Sequence, residues 1–216
     1  MDRLPASARH AAFTHASWVD DRADSYERLE FLGDGVLGLA VADELYRRFP
    51  DRPEGDLARI RAHAVSRQSC AEVARSLQLD ADLAAQAERC ERQTDIETLV
   101  RSQAVMAALV ESAIGAAYLE YGLEPVAAAV VDAFAGPIAF AVEQHVDHKT
   151  VLQEELARLG SSVTYRLMET SGPPHRRTFT TAAMVGEREL GRGSGMSKKA
   201  SEQAAAREAL AALDPR

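Results

Sequence analysis

The chain has 216 residues, enough for one medium domain or two small ones, and 46% of them are apolar, enough to build a buried core. Charged residues make up 27% and the formal net charge is −8, a balance that favours solubility and, taken alone, argues against nucleic-acid binding. No long uncharged apolar run is present: Ala104–Leu119 comes closest, but Glu111 interrupts it and it is too short to cross a bilayer, so no membrane partner is expected.

The opening run MDRLPASARHAAFTHASW has no apolar stretch of the secretory kind. Cys70 and Cys90 have neither CxxC spacing nor histidines placed for zinc. Both observations point to a cytoplasmic protein with reduced thiols. Residues 6–18 read as a short amphipathic helix ending in the turn-like run Thr14-His15-Ala16-Ser17. The acidic loop Asp20–Asp24 leads into a helix that runs to about Arg48. Pro50, Pro53 and Gly55 break the pattern, and Asp56 is a plausible N-cap for a helix through Val65. Cys70–Leu77 continues as a helix, Ala81–Arg101 as polar, mostly helical pieces, and Gln103–Tyr118 as a helix rich in small residues. Pro125–Gln144 is a last helix, broken near Gly136-Pro137. With no strand signal before Ser161, residues 1–146 are expected to be all-α.

The pattern changes at Asp147-His-Lys149. Thr150–Leu159 is an amphipathic helix, and Val163–Thr170, Arg177–Val185 and Glu189–Gly193 alternate as strands. Ser197 caps a helix through Leu213. Residues 149–214 are thus expected to form a small α+β domain of order α-β-β-β-α. Charge divides the same way. Residues 1–148 hold 14 Lys and Arg against 25 Asp and Glu, whereas residues 149–214 hold 10 against 8. The C-terminal third is therefore the part suited to phosphates.

The informative stretch is Tyr26–Leu45. It is largely apolar, yet Glu27, Glu30 and Asp34 fall within a wedge of roughly 60° on a helix. A helix so apolar is expected to be buried, and buried carboxylates need partners. A fourth acid, Glu111, sits mid-helix further along the chain, with Ala104, Ala108 and Gly115 on its own face, small residues that let another helix approach. If the two faces meet, Glu30, Asp34 and Glu111 form a carboxylate cluster, and oxygen-only ligands favour Mg²⁺ or Mn²⁺. The competing reading pairs each acid with an arginine such as Arg28, Arg59 or Arg61; several acids on apolar helices favour the metal.

In the last third, Gly193-Ser-Gly195 precedes Ser197-Lys198-Lys199 at a helix start, an arrangement suited to phosphate. Lys198 and Lys199 would follow phosphates across the A-form major groove. Gln153 and Glu154 would meet 2′-hydroxyls in one minor groove, and the loop with His175 would reach the next. Taken singly, a lysine pair is usually solvated and a lone histidine is usually a surface residue. Phe179 and Leu190 are expected in the core.

Glu27-Arg-Leu-Glu-Phe-Leu-Gly-Asp-Gly-Val-Leu37 resembles the hallmark stretch of ribonuclease III, in which the Gly35 position is usually Ser. Phe13-Thr-His-Ala-Ser-Trp18, Gly55-Asp-Leu with Arg61-Ala, and Val110–Leu119 are similar to further motifs of that family, and residues 149–213 resemble its double-stranded-RNA-binding domain. The resemblance implies an all-α endonuclease domain acting as a homodimer, each subunit cutting one strand of an RNA duplex to leave 5′-phosphate and 3′-hydroxyl ends. It implies Glu30, Asp34 and Glu111 as metal ligands, Glu27 nearby contacting water on the metal or the substrate, and Phe31 at the dimer contact. It implies processing of ribosomal RNA precursors and of messenger RNA. The family usually has Asp three residues before the second-helix Glu, and here that position is Ala108. The chain is then an active enzyme with a water in place of that ligand, a weakened homologue that mainly binds duplex RNA, or a chain engineered at Ala108; the first reading is preferred because the other site elements are kept. Gln86–Arg101 also lacks the family's Gly-rich run.

Overall fold

A computed structural model describes residues 4–90, 95–145, 147–173 and 176–213. The chain divides into two compact units, residues 1–145 and 146–216. Among the described residues the first unit is entirely helical: α1 Ala6–Phe13, α2 Glu27–Arg48, α3 Glu54–Ala64, α4 Arg67–Ser76, α5 Leu79–Ala87, α6 Ile96–Arg101, α7 Gln103–Tyr121, α8 Leu123–Ala133 and α9 Ala135–Gln144. The second runs α10 His148–Arg158, β1 Thr164–Ser171, β2 Thr178–Val185, β3 Arg188–Gly195 and α11 Lys198–Leu213. This is the expected all-α unit followed by α-β-β-β-α.

In the first unit α7 is the central helix, buried continuously from Met106 to Ala116 save for Glu111, which is half-buried. At 19 residues and a mean hydropathy of 1.2 it is longer than expected and meets the length and composition of a membrane span, but most of it is covered by its own unit. Helices α1, α2 and α4 pack on it. The α2–α7 crossing is set by two glycines. A Cβ at Gly33 would lie 1.7 Å from the Glu111 carbonyl oxygen, and one at Gly115 would lie 2.3 Å from that of Leu29. The run Phe13–Trp18 is tied down beside this crossing. Thr14 Oγ1 donates to His10 O at 2.7 Å, Tyr26 N donates to Thr14 O at 2.9 Å, and the buried Ser112 Oγ of α7 donates to Ala12 O at 2.8 Å.

Several expectations are corrected. Helix α2 is not buried all round: Phe31 is 84% exposed, Leu39 and Tyr46 are exposed, and so is Asp34. The N-cap of α3 is Pro53, and Asp56 instead lies in the first turn, paired with Arg59. The last helix is broken close to Gly136-Pro137 as expected, at Phe134, where α8 and α9 meet at a bend of 62°. Pro137 lies in the first turn of α9, where a helix requires no backbone donor.

In the second unit the antiparallel sheet has strand order β1-β2-β3. Leu152 and Leu156 of α10, Ala183 of β2 and Ala205, Ala206 and Ala209 of α11 form its core, with Leu190 packed against them. Phe179 is half-buried and lies outside that cluster. A Cβ at Gly193 would lie 2.2 Å from Ala205 N, so this glycine serves the close stacking of α11 on β3.

Gly33→Ala is expected to destabilise the first unit by about 2–3 kcal/mol, since overpacking outweighs the roughly 1 kcal/mol helix gain. Gly35 has open space around its Cβ direction, so Gly35→Ala is expected to be neutral or stabilising. Urea unfolding followed by Trp18, the single tryptophan, reads this unit alone. Equal effects of the two changes would contradict the close crossing.

Candidate active site and nucleic-acid interface

Helices α2 and α7 bring the predicted acids into one electrostatic system. Burial first, then the charges of Glu27 and Asp34, raises the Glu30 carboxyl. Burial, then Asp34 and Glu30, pushes Glu111 up to about 7, with the Cys70 thiol and Arg67 acting in the opposite direction. No Lys or Arg among the described residues forms an ion pair with Glu30, Asp34 or Glu111, so the arginine-pairing alternative fails for these three. The acids are coupled but not drawn together: among the described residues, no group of three or more His, Cys, Asp or Glu is arranged to hold a metal ion. Ala108, 6% exposed, is packed into the core and offers no oxygen.

Glu27 behaves differently. Arg22 grips both of its carboxylate oxygens, Nε to Oε2 at 3.0 Å and Nη2 to Oε1, and this fork pulls Glu27 below the usual carboxylate range. Arg22 begins a short 3-10 turn, Arg22–Asp24, in the acidic loop. His15 lies close by, its ring against Trp18 and Tyr26. Its Nδ1 accepts from Ser17 N at 3.1 Å, and burial lowers its pKa. Neither Arg22 nor Cys70 was singled out as a site residue from the sequence. Cys70 is fully buried on α4, where its thiol donates to Val65 O at 3.5 Å. Burial, then the charges of Glu111 and Asp34, pushes that thiol up to about 12.

In the second unit Gln153 and Glu154 are exposed on α10, and Lys198 and Lys199 are exposed at the start of α11. Ser197 Oγ accepts from Ala200 N at 3.1 Å and so caps α11, as expected. Ser201 is fully buried, its hydroxyl 2.7 Å from Thr181 Oγ1 and 2.8 Å from Lys198 O, tying the lysine turn to β2. On α10, Lys149 pairs with Glu202 at 2.5 Å and lies over the Tyr165 ring. His175 lies outside the described residues.

Residues 7–137 match the family model described as Ribonuclease-III-like, and residues 148–213 match the double-stranded RNA binding motif. The chain belongs to the ribonuclease III family. It is 38% identical to Ribonuclease 3 of Mycolicibacterium paratuberculosis over 98% of this chain and 90% of that protein. It is 41% identical to Ribonuclease 3 of Geobacter metallireducens over 93% and 82%, respectively. The nuclease domain of Campylobacter jejuni ribonuclease III, a structure described for flexibility in a region involved in dimer formation, superposes with a TM-score of 0.51 at 30% identity, covering 61% of this chain and 87% of that one. The first unit is thus the nuclease domain of an endoribonuclease family, and the second is its double-stranded-RNA-binding domain.

The raised Glu111 fixes the sign of a pH effect. Its folded value of about 7 exceeds its ordinary 4.5, so the folded state binds the proton more tightly. Its contribution to stability is full below about pH 4.5 and is lost as pH rises through about 7. In a metal chelator, Glu111→Gln is expected to flatten that part of the stability–pH curve, read by urea unfolding of Trp18. An unchanged curve would place Glu111 in solvent.

Proposed function

We propose that this ribonuclease III family member is a divalent-metal-dependent endoribonuclease that works as a homodimer. It cuts both strands of duplex RNA and leaves 5′-phosphate and 3′-hydroxyl ends, with precursors of ribosomal RNA and messenger RNA among its substrates in the cytoplasm. The observation that carries this reading is the electrostatic coupling of Glu30, Asp34 and Glu111 across the α2–α7 crossing, with no ion pair to Lys or Arg among the described residues, in a chain that also has a duplex-RNA-binding domain.

The donor set fits a hard cation. Glu30, Asp34 and Glu111 offer only oxygens, and their charges oppose one another without a compensating ion pair among the described residues. Mg²⁺ suits such a site because it binds through few carboxylates and keeps several waters; Mn²⁺ is the alternative. What a bound divalent ion supplies is an activated water and neutralised charge at the scissile phosphate. The chain's own contribution is to place Glu30 and Asp34 on α2 and Glu111 on α7 around the Gly33–Gly115 crossing, near enough to feel one another's charge, with Glu27 at the edge of the stripe. Gln153, Glu154, Lys198 and Lys199 supply the shape-reading contacts to duplex RNA, with His175 a further candidate. Phe31, protruding 84% exposed between Glu30 and Asp34, is suited to burial against a second copy.

Ala108 favours a second reading, a homologue that binds duplex RNA and cleaves it weakly, because the core surrounds this position and no oxygen replaces the family's usual Asp.

Long duplex RNA with Mg²⁺ is expected to yield short products with the ends named above. Intact RNA in a stable complex would overturn the first reading and leave the second. Ala108→Asp is expected to raise the cleavage rate about tenfold or more, and Glu111→Ala to lower it more than about 100-fold, on the scale of lost metal-site interactions. Binding without metal is expected to persist and to weaken as salt rises.

A further inference from the structure

The loop before α2 and the first turns of that helix form an acidic rim beside the site acids. Asp20, Asp21, Asp24, Glu27, Glu30 and Asp34 lie within residues 20–34, against only Arg22 and Arg28. A polyanionic duplex must come close to this rim. The placement of Arg22 in it is built with care. The Arg22 carbonyl accepts two hydrogen bonds, from Ser25 N at 3.0 Å and Ser25 Oγ at 2.7 Å. Asp21 Oδ1 accepts from Ala23 N at 2.9 Å and caps the turn, and Ser25 Oγ also accepts from Glu27 N at 3.3 Å. The backbone of Arg22 is therefore fastened to the start of α2, whereas its side chain is 75% exposed.

The fork on Glu27 does not account for this construction through stability. Exposed ion pairs contribute little, because solvent screens them and two long side chains lose freedom. A guanidinium fork that grips a carboxylate through two parallel N–H groups is equally matched to a phosphate. A phosphate that takes the fork leaves both Glu27 oxygens without their guanidinium partner, near Glu30, whose carboxyl the Glu27 charge already raises.

We propose that Arg22 is a substrate-binding residue of the nuclease site, held on Glu27 in the free protein and transferred to a backbone phosphate of the RNA duplex on binding. The exchange covers the rim with one phosphate-bound cation and releases Glu27 toward the reacting strand. This rests on the duplex-RNA reading of the site.

The test measures binding of the full chain to long duplex RNA in chelator across a salt series, so it does not depend on how much activity Ala108 leaves. Arg22→Ala is expected to weaken binding roughly 5- to 10-fold and to reduce the slope of log affinity against log salt by about one per protomer. Arg22→Lys, which keeps the charge but not the fork, is expected to restore the slope and only part of the affinity. Glu27→Gln, which frees the guanidinium, is expected to bind as tightly as the wild type or more tightly. The proposal is overturned if Arg22→Ala keeps the wild-type affinity and slope, or if Arg22→Ala and Glu27→Gln weaken binding alike, as a merely structural pair would. Absence of salt-dependent binding by the wild-type chain would overturn both this proposal and the duplex-RNA reading. Wild-type binding that Arg22→Ala leaves untouched would overturn this proposal alone.

Discussion

Helices α2 and α7 cross with no side chain between them at Gly33 and Gly115, and each glycine faces a carbonyl of the other helix. The geometry of the site follows from this contact. Glu30 precedes Gly33 by one short turn and Asp34 follows it directly, while Glu111 precedes Gly115 by four residues. The acids therefore flank the crossing on both helices. Because the backbones touch, little room is left for water around Glu111, and burial is the largest cause of its raised pKa. A larger residue at either glycine would separate the helices and loosen the coupling between the acids. Packing and electrostatics are two consequences of one contact.

Much of this was legible in the sequence because it is encoded locally. The stripe Glu27-Glu30-Asp34 follows from helical period alone, and the small residues around Glu111 marked the face that another helix approaches. The succession α-β-β-β-α in the second unit, and Ser197 as the cap of α11, followed from alternation and turn chemistry. What was not legible depends on tertiary placement. Nothing local shows that a 3-10 turn points Arg22 back at Glu27, or that α4 lays Cys70 near Glu111. The exposed side of α2 was misread for a related reason: apolar content indicates that a helix has a face to bury, not whether its own chain supplies the cover. Phe31 lies on the uncovered side.

The two units divide the electrostatic work. The nuclease unit carries a large excess of acid, which by itself repels a polyanion, whereas the RNA-binding unit is close to balanced and slightly basic. Long-range attraction and duplex recognition thus belong to the second unit. Its lysine turn is fixed by Ser197, by the buried Ser201 hydroxyl and by Gly193 beneath α11. With recognition supplied elsewhere, the nuclease unit can keep an acidic site that would otherwise exclude its substrate.

Ala108 alters the balance of charge within that site. An Asp there would place a further acid on α7, three residues before Glu111, in an environment already poor in water. Each added carboxylate makes the others harder to ionise in the absence of a cation. Its absence lowers the cost of keeping Glu30, Asp34 and Glu111 together in the free protein, and it also removes a ligand from any cation that joins them. Arg67 acts in the same direction, since its charge opposes the rise in the Glu111 pKa. A site with fewer opposed charges is easier to fold and holds a divalent ion less tightly. Ala108 thus lowers the charge that Glu111, Glu30 and Asp34 must bear together, and burial at the crossing remains the largest cause of the raised Glu111 carboxyl.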